Sequence, residues 1–180
     1  MFMRKLKVTE LNRLTAEEYG ISKKMPLVVV LDQVRSLNNV GSIFRTADAF
    51  RLESVCLCGI TATPPHAEIH KTALGAEETV EWQYYKDTLD CVKVLKEKGF
   101  YIYAIEQTEG SISPEMIELS PAGKYAIILG HEVKGVQQEV INECDCCVEI
   151  PQFGTKHSLN ISVAAGIVIW EFFKVLHKKR

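Results

Sequence analysis

Arg45 is the side chain in this sequence best suited to holding an anionic oxygen or a phosphate, through its planar, always-charged fork. It follows a stretch, Leu31 to Asp48, in which an apolar run empties into a polar loop and then opens a helical pattern. Asn38 or Asn39 is placed to cap the free N–H groups of that helix. Gly41 in the first turn weakens the helix, which implies close packing there. An i, i+3 pair with Asp48 is the plain alternative for Arg45, and it is worth little. Two further polar clusters have the same setting. In Ile127 to Val136 a strand-like run ends in Gly130-His131-Glu132-Val133-Lys134-Gly135, where glycines leave backbone groups open and Glu132 near a helix N-terminus is favoured by the dipole. In Ile150 to Ser162, Pro151 ends a strand and Ser158 is a suitable N-cap for the last helix. Asn160 lies two residues further on, its side chain free for another task.

The elements that must position these clusters follow from the apolar pattern. Six short β-rich runs are Pro26–Leu31, Ser54–Ile60, Thr79–Tyr84, Phe100–Ile105, Tyr125–Leu129 and Cys146–Ile150. Most are continuously apolar, as strands buried on both faces of a parallel sheet are. Helical spacing appears at Val40, Ile43, Phe44, Ala47 and Phe50, over Asp87–Lys98 before Gly99, over Val136–Ile141, and over Ser158–Lys178. The last helix is apolar all round from Ile161 to Trp170, so it must be buried or covered by a partner. Residues 1–25 are polar and read as an N-terminal helical extension, with Thr15 and Glu18 forming a capping box. Residues 26–180 read as one α/β domain, a mostly parallel sheet with helices on both faces. In such sheets ligands bind at the carboxyl ends of strands, so three polar clusters following strands describe one composite site.

Composition excludes several classes. The chain has 180 residues, 47% hydrophobic, 24% charged, with a net charge of −2. That is one domain with a real core, not a disordered chain. No apolar run approaches the ~20 residues of a membrane span, and no apolar stretch follows the basic start, so a cytoplasmic protein is expected. Six cysteines there are expected as reduced thiols, Cys56 and Cys58 on one strand face. Neither Cys144, Cys146 and Cys147 nor the pair His66 and His70 has the spacing of a metal set; the histidines read as a turn and helix start after Pro64-Pro65. No nucleotide-binding glycine signature is present. Both ends are basic, at Arg4, Lys5 and Lys7 and at Lys174, Lys178, Lys179 and Arg180, and these can join a nucleic-acid-binding surface.

Taken together, the clusters resemble the three motifs of the SpoU/TrmH family of RNA 2′-O-ribose methyltransferases, in the SPOUT superfamily. Asn39-Val40-Gly41-Ser42-Ile43-Phe44-Arg45-Thr46-Ala47 resembles the first motif. Leu129-Gly130-His131-Glu132, with Gly135 after it, resembles the second. Ile150-Pro151 and Ser158-Leu159-Asn160-Ile161-Ser162-Val163-Ala164 resemble the third. The resemblance implies a SPOUT-like domain with a C-terminal trefoil knot and a homodimer acting on tRNA or rRNA. It implies S-adenosylmethionine, product S-adenosylhomocysteine, held bent by Glu106, Leu129, Gly130, Ile150, Leu159 and Asn160. It places Arg45 at the reacting oxygen, with Asn39, Glu132, Ser158 and Asn160 shaping the pocket. The sulfonium already activates the methyl group, so no metal is required. The family often has Asn or Gln where His131 stands, so charge at His131 is a route to pH sensitivity. A non-catalytic RNA-binding dimer and a SPOUT base methyltransferase are the competing expectations.

Overall fold

A computed structural model describes residues 3–178, so the basic residues Lys179 and Arg180 lie outside the described residues. The strands are β1 (Met25–Asp32), β2 (Leu52–Cys58), β3 (Trp82–Tyr85), β4 (Phe100–Ile105), β5 (Lys124–Leu129) and β6 (Cys146–Val148). All pair in parallel, in the order β3-β2-β1-β5-β4-β6. The helices are α1 (Ala16–Ile21), α2 (Leu37–Ala49), α3 (Ala67–Ala73), α4 (Ala76–Thr79), α5 (Thr88–Glu97), α6 (Gln138–Asn142) and α7 (Ile161–Lys178).

The continuous apolar character of β1 follows from its burial on both faces. Leu27, Val29 and Leu31 point into a core made with α2, α3 and α7. Val28 and Val30 point into a second core with α5 and α6, where Cys56 and Cys58 share a face with Cys91. Gly41 is required by the contact of α2 with α3: a Cβ there would lie 2.1 Å from Thr72 Oγ1 and 2.3 Å from the Ile69 carbonyl.

Several boundaries differ from the sequence reading for physical reasons. Thr79 is helical rather than the start of a strand, and β3 begins at Trp82. Leu74 and Gly75 both take left-handed backbone, reversing the chain, and the Glu77 carboxylate accepts the Gly75 N–H over 3.1 Å to open α4. Ser36, not Asn38 or Asn39, caps α2 by accepting the Asn39 N–H. The anticipated Thr15–Glu18 capping box opens α1, and His66 caps α3.

Candidate active site

Glu132 stands on the loop after β5, yet its carboxylate belongs to the N-terminus of α2. It accepts the N–H of Ser36 over 2.8 Å, the N–H of Arg35 over 3.1 Å and the side-chain amide of Asn39 over 3.2 Å. Burial pushes its pKa up, but these donors outweigh burial, and the net shift is below the ordinary carboxylate value. A carboxylate here satisfies helix-end amides that have no partner inside the helix and meets the positive end of the dipole. Asn39 carries the link onward. Its side-chain oxygen accepts from Asn160 Nδ2 over 3.1 Å. Asn160 Oδ1 in turn accepts the N–H and hydroxyl of Ser162, over 2.9 and 2.6 Å. Asn160, not Ser158, is therefore the cap of α7, which starts at Ile161; Ser158 is exposed in the loop before it.

Behind this junction the 130–135 turn is closed in both directions. His131 N–H donates to the Gly135 carbonyl over 3.0 Å, and Gly135 N–H to the His131 carbonyl over 2.8 Å. His131 Nδ1 accepts the N–H groups of Val133 and Lys134, over 3.0 and 3.3 Å, the task an Asn side-chain oxygen performs in an Asx turn. Glu106, directly after β4, supports the turn by accepting the Val136 N–H over 2.9 Å. Gly130 is required by the same packing, since a Cβ there would lie 2.1 Å from the backbone of Gly135 and Val136.

A cavity of about 480 Å³ opens between the carboxyl ends of β4, β5 and β6, the 130–135 turn and the chain before α7. That is within the usual ~300–1,000 Å³ of small-molecule sites. Glu106, Leu129, Gly130, Ile150, Leu159 and Asn160 all line it, and so do Glu132 and Ser158. Among the described residues, 150–159 make no backbone–backbone hydrogen bond. A tie to this segment is Gln107 Nε2 donating to the His157 carbonyl over 3.0 Å. Other backbone groups of the segment are thus open to a ligand with polar edges, which fits a nucleoside-containing cofactor such as S-adenosylmethionine.

Arg45 is not brought into this cavity. Six residues past Asn39, it lies ~9 Å further along α2 and ~120° away around it, from helix geometry alone. It is exposed and lines a separate groove of about 680 Å³ between α2, α7 and residues 12–25, with Arg13, Lys23 and Arg51. The pair with Asp48 does not form; Asp48 accepts from Thr79 Oγ1 over 2.7 Å.

The SpoU rRNA methylase family model matches residues 26–170. The chain belongs to that family. It is 30% identical over 162 residues to the 23S rRNA (guanosine-2′-O-)-methyltransferase RlmB of Vibrio cholerae, covering 90% of this chain and 64% of that protein. The SpoU-family chain thus spans less than two thirds of the length of that relative. The AdoMet-bound rRNA methyltransferase of Sinorhizobium meliloti superposes with a TM-score of 0.79 at 28% identity, over 86% of this chain and 58% of that one. The TrmH/SpoU tRNA modifying enzyme of A. aeolicus shares the fold, with a TM-score of 0.80 at 23% identity, over 89% and 81% of the two chains.

Sequence reasoning missed two residues that build the site. Asp32, fully buried at the end of β1, accepts from Thr88 Oγ1 (2.6 Å), Gln137 Nε2 (2.8 Å) and Gln137 N–H (2.9 Å). It fixes the chain after the 130–135 turn to the sheet. The signal was available: a carboxylate ending an otherwise apolar strand must find donors. Thr61 similarly accepts the Val34 N–H and donates to the Leu31 carbonyl. Away from the cavity, His70 gathers Glu77 and Glu78, their ligating atoms within 4.8 Å of one another; His66 does not join them. The His70–Glu77 contact, at 2.6 Å, ties α3 to α4. Among the described residues, no helix is long and apolar enough to cross a membrane.

Proposed function

We propose that this chain is a cytoplasmic, S-adenosylmethionine-dependent methyltransferase acting on a ribose 2′-hydroxyl of rRNA or tRNA. The observation that carries this reading is the Glu132–Asn39–Asn160 junction. It draws the three family motifs together beside a cavity of cofactor size whose wall, 150–159, has uncommitted backbone groups. Support also comes from membership of the family and from the similarity to RlmB and to the AdoMet-bound enzyme.

In this reading Glu106, Leu129, Gly130, Ile150, Leu159 and Asn160 hold the cofactor. When bound, S-adenosylmethionine supplies a methyl group already activated on a sulfonium. What the chain must add is alignment of a sugar oxygen with that methyl and stabilisation of the charge that develops as the hydroxyl loses its proton. Glu132 and Asn39 act by holding the N-terminus of α2 against the cavity, and Ser158 and Asn160 shape its mouth. Arg45 serves the substrate side: its groove also carries Arg13, Lys23 and Arg51, along which an RNA backbone can run. From that groove it clamps a phosphate beside the methylated ribose, and another acceptor takes the proton.

The reading includes residues 26–180 as the catalytic domain, with 1–25 as an N-terminal extension. It includes the C-terminal trefoil knot of the superfamily, formed as the segment before α7 threads past the ends of β4, β5 and β6. It also includes a homodimer, supported by large apolar residues of α7 left 38–51% exposed, namely Val163, Ile167 and Trp170.

The test is transfer of tritiated methyl from S-adenosylmethionine to total RNA from cells lacking the protein, followed by alkaline hydrolysis. Label recovered in alkali-resistant dinucleotides is the expected result. Label released with mononucleotides would mean base methylation, and RNA binding without transfer would mean a non-catalytic binder.

A further inference from the structure

We propose that Phe153 is the stacking platform for a nucleobase of the substrate RNA, next to the ribose that is methylated; this rests on the function proposed above. Phe153 is 99% exposed, on the chain segment that walls the cavity. Gln152 and His157, on either side of it, line the cavity, while Phe153 faces solvent. A fully exposed Phe gains nothing for folding.

Its occupant is argued from chemistry and charge. If a 2′-hydroxyl is to enter the cavity, the base on that sugar or on its neighbour must leave its stack and rest elsewhere. Single-stranded RNA is held in this way, with splayed bases lying on aromatic faces while cations hold the phosphates. Across residues 105–107, 129–136 and 148–164, which supply the cavity wall, Phe153 is the sole Phe, Tyr or Trp. Exposed Lys156 lies three residues beyond it, and exposed Lys134 and Val133 project from the opposing 130–135 turn. An exposed aromatic ring on the wall of a cavity that Lys134 lines, with exposed Lys156 close along the chain, suits a nucleotide better than an apolar protein surface. The segment also makes no backbone ladder of its own, so it can adjust to lay the ring on a base.

The experiment compares the wild type with Phe153→Ala and Phe153→Trp in the full chain. Methyl transfer is followed against concentration of total RNA, and S-adenosylhomocysteine binding is followed by calorimetry. Phe153→Ala is expected to raise KM for RNA about tenfold, the size of one lost base stack. Phe153→Trp should restore it, with S-adenosylhomocysteine affinity and sedimentation unchanged throughout. A parallel loss of S-adenosylhomocysteine affinity in Phe153→Ala would assign the ring to the cofactor, and a changed sedimentation coefficient would assign it to a subunit contact. An unchanged KM would remove the platform; each of these overturns the proposal. If the wild type transfers no methyl group, the functional reading fails by itself. Anisotropy of a fluorescein-labelled single-stranded RNA of mixed sequence then still decides: binding weakened in Phe153→Ala and kept in Phe153→Trp upholds the platform, and equal binding by all three rejects it.

Discussion

The side chain of Asn160 donates to that of Asn39 over 3.1 Å, across 121 residues of chain. Asn39 passes the link to Glu132, so the first turns of α2 and α7 and the loop after β5 are one hydrogen-bonded unit.

That unit predicts non-additive stabilities. Asn39→Ala removes a donor from a carboxylate and an acceptor from an amide, and should cost about 1–3 kcal/mol. Asn160→Ala should cost about 1 kcal/mol, mostly as a lost cap. Urea denaturation of both single variants and the double variant should give a coupling of about 0.5–1.5 kcal/mol; simple additivity would mean the bond contributes nothing.

Glu132 sets a pH dependence. Its folded pKa is below the ordinary value near 4.5, because amides of α2 and Asn39 outweigh burial. The unfolded chain therefore takes up the proton first as pH falls. The stability Glu132 contributes is complete above about pH 4.5 and is lost as pH drops through the lower folded value. Glu132→Gln should be less stable than wild type at pH 7, by about 1–3 kcal/mol. The gap should close on acidification, as read from thermal melts between pH 7 and 3. A constant gap would show that the charge is not what holds α2.

Arg45 should separate chemistry from cofactor binding, because it lies outside the cavity. Arg45→Ala is expected to cut methyl transfer by about 100-fold through a misplaced substrate, with S-adenosylhomocysteine affinity unchanged by calorimetry. Arg45→Lys should recover little, since an ammonium lacks the planar fork. Equal losses of rate and cofactor affinity would make Arg45 a structural residue.

His131 acts as an acceptor for two backbone amides. His131→Asn supplies an equivalent oxygen and should keep stability and activity. His131→Ala should cost about 0.5–1.5 kcal/mol and weaken cofactor binding through a looser turn. Identical melts for the two variants would dismiss the turn as a support.

Most of the sheet was legible because burial on both faces leaves continuous apolar runs, as in β1 and β5. The convergence of Asn39, Glu132 and Asn160 was legible through the motif resemblance, but their bonds were not. A dipole argument linked Glu132 to a helix N-terminus correctly in kind, yet the helix is α2, almost a hundred residues earlier, and spacing carries no such information. Ser158 looked like the cap of α7 because Ser and Asn both suit that place; only the reach of Asn160 toward Asn39 decides between them. That Arg45 lines a different groove from Asn160 and Glu132 was not legible, because proximity in a motif does not survive six residues of helical rotation.

Among the described residues, the stretch of ten before Asn160 is clasped by Gln107 and makes no backbone–backbone bond, so whatever enters the cavity must also organise its wall. Occupancy and order arrive together there, and the entropy surrendered in that step is deducted from affinity. Under the function proposed above, release of S-adenosylhomocysteine then needs only that the wall relax.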